Sequence, residues 1–217
     1  MRLLVLLLAA AFAVPPSTDL LDVTNAPIGA GLPSSWQTRA VKGFELPSVE
    51  VAAGDLDTRI VRISGAGRAG WLHRDLRRTP PLAGDSLRWS WRVLEAPASR
   101  DLMQKERDDA PIRLYVVFGN PQKLFGGSGR IIFYTFGNRE PAGYERTSHV
   151  SSRMQIVTVD GARDIGVWRD HAVDPAADYQ RIWGKTAPKV TAVGLMQDTD
   201  QTGERATAEV RSMSWGR

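Results

Sequence analysis

Two acidic stretches hold the residue types best suited to chemistry. In "GLMQDTDQTGERATAEV", Asp198, Asp200, Thr202 and Gly203 fall at the spacing that opens an EF-hand calcium loop, and Glu209 falls where that loop's last ligand would be. Alternate carboxylates of this kind can offer several oxygens to one hard cation. In "RDDAPIRLYVVF", Asp108 and Asp109 stand just before a run that carries Arg113. A carboxylate pair beside a guanidinium can hydrogen-bond sugar hydroxyls or hold an acidic group. It could also perform acid–base hydrolysis, although adjacent carboxylates seldom have the separation a glycosidase needs. The plainer alternative is that Arg113 pairs with one Asp and pins a long loop to a sheet.

The surroundings of the Asp198 stretch argue against an EF-hand. That motif needs a helix on each side, whereas "KVTAVGLM" and "TAEVRSMSW" both read as strands. Arg205 replaces the loop's usual apolar residue, and Glu209 in an extended strand would not curl back to an ion. The stretch is expected to be a polar strand-to-strand loop. Asp198 and Asp200 would help to order the loop around "RDDAP" by accepting backbone N–H bonds. Clustered carboxylates need a counter-charge, which Arg113, Arg205 or calcium could supply. Arginine is favoured, so no metal or cofactor is expected.

The remaining chemistry is sparse. Exposed aromatics stack on sugar rings, and Trp71, Trp89, Trp91, Trp168 and Trp183 are candidate platforms among the seven tryptophans. Trp89 and Trp91 share a face with Leu87 and Val93 and are better read as core. The face of Trp168 is undecided, and it stays a candidate ligand-binding residue. His73, His149 and His171 form no zinc spacing. The absence of cysteine removes disulfides, thiolate ligands, a thiol nucleophile and a lipid-anchored Cys. No nucleophile elbow, P-loop or dinucleotide fingerprint is present.

These side chains must be positioned by strands. In "LRWSWRV", Leu87, Trp89, Trp91 and Val93 alternate with Arg88, Ser90 and Arg92, the mark of a half-buried strand. "IRLYVVF" repeats the pattern, with Arg113, Tyr115 and Val117 on its non-core face. "RIIFYTF" is apolar on both faces and predicts a central strand. "NPQKLFGGSG" between them reads as a Gly-rich hairpin loop. Further strands are expected at "RIVRIS", "GWLHRDL", "MQIVTV", "IGVWRDH", "KVTAVGLM" and "TAEVRSMSW". About ten short strands with turn signals predict an all-β fold, an antiparallel β-sandwich. One short helix is expected near 175–183, with Asp174 as its cap, Pro175 at its first position and Gly184 just past its end. "ASRDLMQKERDDAP" reads as a long, polar loop.

The chain opens "MRLLVLLLAAAFAVPPS", in which Arg2, an apolar run and Ala11-Phe12-Ala13 read as a signal peptide over residues 1–13. The run is short of the roughly 20 residues that span a bilayer, so no transmembrane segment is expected in the mature chain. Residues 14–35 then read as an extended N-terminal segment and 36–217 as a single β-sandwich domain. An exported protein, periplasmic or secreted, is expected. The charge, 28 basic against 24 acidic residues, is well mixed, which argues against a nucleic-acid partner. A weak preference for anionic partners such as acidic polysaccharide or lipid headgroups fits the basic excess.

"LRWSWRV", "RDDAPIRLYVVF", "DYQRIWG" and "AVGLMQDTDQTG", in that order, resemble a family of bacterial exported proteins known as domain of unknown function 3047. The resemblance runs from about Trp36 to Trp215. It implies a secreted, single-domain, jelly-roll-like β-sandwich and implies no reaction. Asp108, Asp109, Arg113, Asp198 and Asp200 carry over as motif residues, expected to meet at one end of the sandwich. Phe136 and His171 stand where the family pattern would place Trp and Arg. The expected function is an exported binding module for a carbohydrate or other polyhydroxyl envelope ligand. The alternatives are an enzyme acting on envelope polysaccharide and a structural or protein-interaction domain. Whether the protein is an enzyme is left open, leaning against.

Overall fold

The computed structural model describes residues 17–79, 82, 84–120 and 129–216. The expected signal peptide and residues 121–128 of the Gly-rich loop lie outside the described residues. Where apolar residues alternate with polar ones, the chain is extended. The described strands are β1 (Thr18–Asp19), β2 (Gln37–Ala40), β3 (Ser48–Ala53), β4 (Arg59–Ala66), β5 (Ala69–Asp75), β6 (Ser86–Glu95) and β7 (Ala110–Phe118). They continue with β8 (Arg130–Phe136), β9 (Glu145–Thr147), β10 (Met154–Asp160), β11 (Arg169–Val173), β12 (Val190–Asp198) and β13 (Arg205–Gly216).

The strands form two sheets. One has the order β11-β6-β13-β4-β3, with β1 also paired to β13; the other has the order β2-β5-β12-β7-β8-β10-β9. Successive strands β4, β5, β6 and β7 alternate between the sheets, so the chain wraps its core as a jelly roll does. The protein is a β-sandwich, as expected. Among the described strands one pair departs from the antiparallel rule: β8 and β10 run parallel. Parallel neighbours need a long connection, and residues 137–153 supply it, turning back through β9 to pair antiparallel with β10.

Leu87, Trp89, Trp91 and Val93 of β6 face Ile112, Leu114, Val116 and Phe118 of β7 across the core. Trp89 and Trp91 are 2% and 0% exposed, so both are core residues rather than platforms. On the opposite face of β6, Arg88 is exposed and Arg92 half-buried, but Ser90 is buried. Ser90 is a small side chain on an interior strand, paired with Asp170 on one side and Ser212 on the other.

The reading of β7 as half-wet needs correction, because all its residues are buried. The outer face of its sheet carries a second apolar cluster. It includes Tyr115, Val117, Ile131, Phe133, Met154, Ile156 and Met196, joined by Leu102 from the long loop. The helix α1 spans Pro175–Trp183. Asp174 caps it by accepting from the Ala176 and Ala177 N–H groups at 2.9 and 3.0 Å, and Gly184 ends it at φ +64°.

Candidate functional site

Register brings the two acidic motifs together. Met196 pairs with Arg113 and Asp198 with Ala110, so "RDDAP" enters β7 where "DTDQTG" leaves β12. Asp108, Asp109, Arg113, Asp198 and Asp200 therefore gather at one end of the seven-stranded sheet. Arg113 Nη2 donates to Asp108 Oδ1 at 2.9 Å and to the Asp108 carbonyl at 2.6 Å. Its Nη1 lies 3.6 Å from Asp198 Oδ2, and the guanidinium sits 5.8 Å from the Phe133 ring centroid. Arg146 Nη2, from β9, is 2.6 Å from the other Asp108 oxygen. The side chains of Arg113 and Arg146 are only 6% and 9% exposed. Sequence reasoning missed Arg146, because nothing in "YERTS" shows that β9 folds back toward the acidic loop.

Asp109 has a different job. It is wholly buried and accepts from the Gln201 N–H at 3.0 Å, the Thr202 N–H at 2.9 Å and the Thr202 hydroxyl at 2.5 Å. The expected direction of ordering is thus reversed: the carboxylate of "RDDAP" holds the "DTDQTG" turn. Gly203, at φ +73°, completes that turn where a side chain would be strained. Glu209 is remote from this loop's acids in partnership. It is buried on β13 and paired with Arg62 at 2.9 Å and Arg92 at 2.6 Å. Arg205 is exposed and enters no ion pair among the described residues. Arg113 is the counter-charge.

Asp109, Asp198 and Asp200 place carboxylate oxygens within 4.8 Å of one another, and they are the residues that could hold a hard cation. Burial pushes the Asp198 carboxyl well above its ordinary range. Arg113 opposes this, while the hydrogen bond to Asp200 and the Asp200 and Asp109 charges push it further up. Burial also raises Asp109, against its bonds to Thr202 and Gln201. A proton can therefore relieve the repulsion that a cation would otherwise have to relieve.

Beside the charged cluster lies an aromatic surface. Trp71 sits in the same cross-strand row as Met196 and Arg113. Its indole is half-buried, edge-on to Tyr115 at 5.1 Å and tilted against Phe133 at 5.8 Å. The Tyr115 hydroxyl donates to the Leu72 carbonyl and lies 3.1 Å from His73 Nδ1. Gly194 makes this possible: a Cβ there would run into the Leu72 carbonyl and the Tyr115 ring. Burial lowers the pKa of His73, which keeps the imidazole neutral near pH 7. Trp168 does not join this site. It lies beside the six-stranded sheet, with the Arg92 and Arg211 guanidiniums each 4.7 Å from its ring centroid.

The chain belongs to the family of proteins of unknown function DUF3047, whose profile matches residues 34–214. No curated protein matches. Among solved structures, the chain is similar to the family 11 carbohydrate-binding module of a cellulosomal cellulase of Clostridium thermocellum (11% identity, 94% of this chain and 96% of that chain covered, TM-score 0.47). It is also similar to the family 11 xylanase of Neocallimastix patriciarum (8% identity, 89% and 98% covered, TM-score 0.45). A third likeness is to a xylan-binding domain of Paenibacillus barcinonensis (12% identity, 96% and 96% covered, TM-score 0.42).

Proposed function

We propose that this protein is a binding module for a carbohydrate or related polyhydroxyl ligand, received on the outer face of the seven-stranded sheet. The observation that carries this reading is the placement of Trp71. Its half-exposed indole rests on Tyr115 and Phe133, in one row with Arg113. Two strand spacings, about 10 Å, separate the Trp71 and Arg113 backbones. That distance is on the scale of two linked sugar rings, with an apolar platform at one end and charged hydrogen-bonding groups at the other. Stacking on indole supplies apolar contact, and partly buried Asp198 and Asp200 supply acceptors for hydroxyl groups.

Binding is favoured over hydrolysis because Asp109 is wholly enclosed and already accepts three hydrogen bonds. It cannot stand across a substrate from Asp198 or Asp200 as an acid or base would. The apolar leader "LLVLLLAAAFA" supports an exported chain, periplasmic or secreted, where envelope polysaccharide would be met. Among the described residues, no helix is long and apolar enough to cross a membrane.

A glycan array of the mature protein, followed by calorimetry on the best ligand, tests the reading. Trp71→Ala should weaken binding at least about tenfold, the loss of roughly 1.4 kcal/mol of stacking, while Trp168→Ala leaves it unchanged. Full affinity in Trp71→Ala would overturn the assignment of this face.

A further inference from the structure

Away from that face, a cleft of about 450 Å³ opens between the long loop and the turn that follows β8. This volume is within the range of small-molecule sites. Its wall includes Arg100, which is 3% exposed. Arg100 Nε and Nη2 donate to the Gly137 carbonyl at 3.0 and 2.9 Å, and Nη1 donates to the Pro97 carbonyl at 2.6 Å. Among the described residues no carboxylate touches this guanidinium, although the Glu140 and Glu204 charges act on it from nearby, and two of its five N–H donors have no partner there. A buried charge without a contacting counter-ion is costly to keep.

The nearby acids are otherwise engaged. Glu140 accepts from the Leu102 N–H at 3.1 Å and the Asn138 N–H at 2.7 Å. Asp101 accepts from the Met103 N–H at 2.9 Å and the Gln104 amide at 2.6 Å. Glu204 accepts from the Ala98 and Ser99 N–H groups and from the Ser99 hydroxyl. All three hold the loop's shape. Arg107 and Arg139, also in the cleft wall, are exposed and enter no ion pair among the described residues. The lining carries three guanidiniums against the Asp101 and Glu140 carboxylates, and the Glu204 charge also acts on Arg100.

We propose that this cleft binds a carboxylate-bearing ligand, with the uronate units of an acidic polysaccharide as its source. A planar carboxylate matches the fork of a guanidinium, and Arg107 and Arg139 present two exposed forks that enter no ion pair among the described residues. Arg107 and Arg139 hold the carboxylate from the open side, and the spare N–H groups of Arg100 meet it from the buried side. This site is separate from the Trp71 face and stands whether or not that face binds sugars.

Calorimetric titration of the mature protein with an oligouronate, the matching neutral oligosaccharide, acetate and inorganic phosphate tests the proposal. The oligouronate should bind, the neutral sugar should not bind here, and affinity should fall with salt. The Arg107→Gln/Arg139→Gln double variant changes only exposed side chains and so keeps the fold. It should lose at least about tenfold in oligouronate affinity, about 1.4 kcal/mol, while Trp71→Ala retains the affinity of this site. Acetate binding as tightly as the oligouronate would overturn the polysaccharide source. Phosphate binding without oligouronate binding would overturn the carboxylate assignment. Unchanged affinity in the double variant, or no oligouronate binding, would overturn the site itself.

Discussion

Arg113 grips Asp108 twice, at the carboxylate and at the main-chain carbonyl, with one terminal nitrogen 2.9 and 2.6 Å away. The long loop is thereby fastened to the strand it leads into. The sequence pointed to coupling between Asp109 and Arg113; the direct bond goes instead to Asp108, and Asp109 serves the neighbouring turn. Arg113 and Asp108 are both buried: removing Asp108 takes the contacting carboxylate from Arg113 and Arg146, and removing Arg113 leaves Asp108 with Arg146 alone and Asp198 without its counter-charge. Asp108→Ala and Arg113→Ala should each cost about 3–5 kcal/mol. The double variant should cost less than their sum by about 1–3 kcal/mol. Urea unfolding of the four proteins measures the difference, and strict additivity would mean that the pair contributes no coupling.

Asp109→Ala should release the 199–203 turn. The Gln201 and Thr202 N–H groups would lose their acceptor while enclosed, at about 1–3 kcal/mol for each group that cannot reach water. Hydrogen exchange should show those two amides deprotected more than amides of β6. Equal loss of protection in the turn and in β6 would mean that Asp109 supports the whole sandwich rather than this turn.

The pH dependence follows from Asp198. Its folded pKa is raised above the unfolded value, so the native state holds the proton more tightly. Stability from this group is fully present below the unfolded pKa, about 3.9, and is lost as pH rises through the folded value. Asp75 and Asp160 are shifted down, so their contributions have the opposite sign. The contrast between wild type and Asp198→Asn isolates the effect. The variant should gain melting temperature relative to wild type as pH rises from 4 to 8. A difference that is flat with pH would show that Asp198 is not protonated on folding.

Calcium should leave the melting temperature of metal-stripped protein unchanged, because Arg113 and a proton already relieve the acidic cluster. A site filled about a hundredfold above its Kd would instead add about 2.7 kcal/mol, or roughly 5–10 °C for a chain of this size. A rise of that order, abolished by Asp200→Ala, would make Asp109, Asp198 and Asp200 a cation site.

Local patterns were enough to determine several features. The alternation of "LRWSWRV" placed Trp89 and Trp91 in the core, since a strand has only two faces and only one can hold both indoles beside Leu87 and Val93. Asp174, Pro175 and Gly184 marked the ends of α1, because each acts within one turn of the backbone. Helices were missing around the Asp198 stretch, which was enough to read it as a strand-to-strand turn. Tertiary structure decided the rest. Both faces of β7 are buried because distant Leu102, Met154 and Met196 cover Tyr115 and Val117, which no pattern within "IRLYVVF" reports. Alternation would have put Asp109 on the side of Arg113. Asp108, however, lies before the strand at φ −74°, ψ 43°, where alternation does not hold, and its carboxylate turns to the guanidinium instead. Arg146 reaches Asp108 from β9, beyond β8 and β10 in the sheet order. That contact depends on the parallel β8–β10 pairing, which is set by how the chain returns over the sheet and not by any neighbour in the sequence.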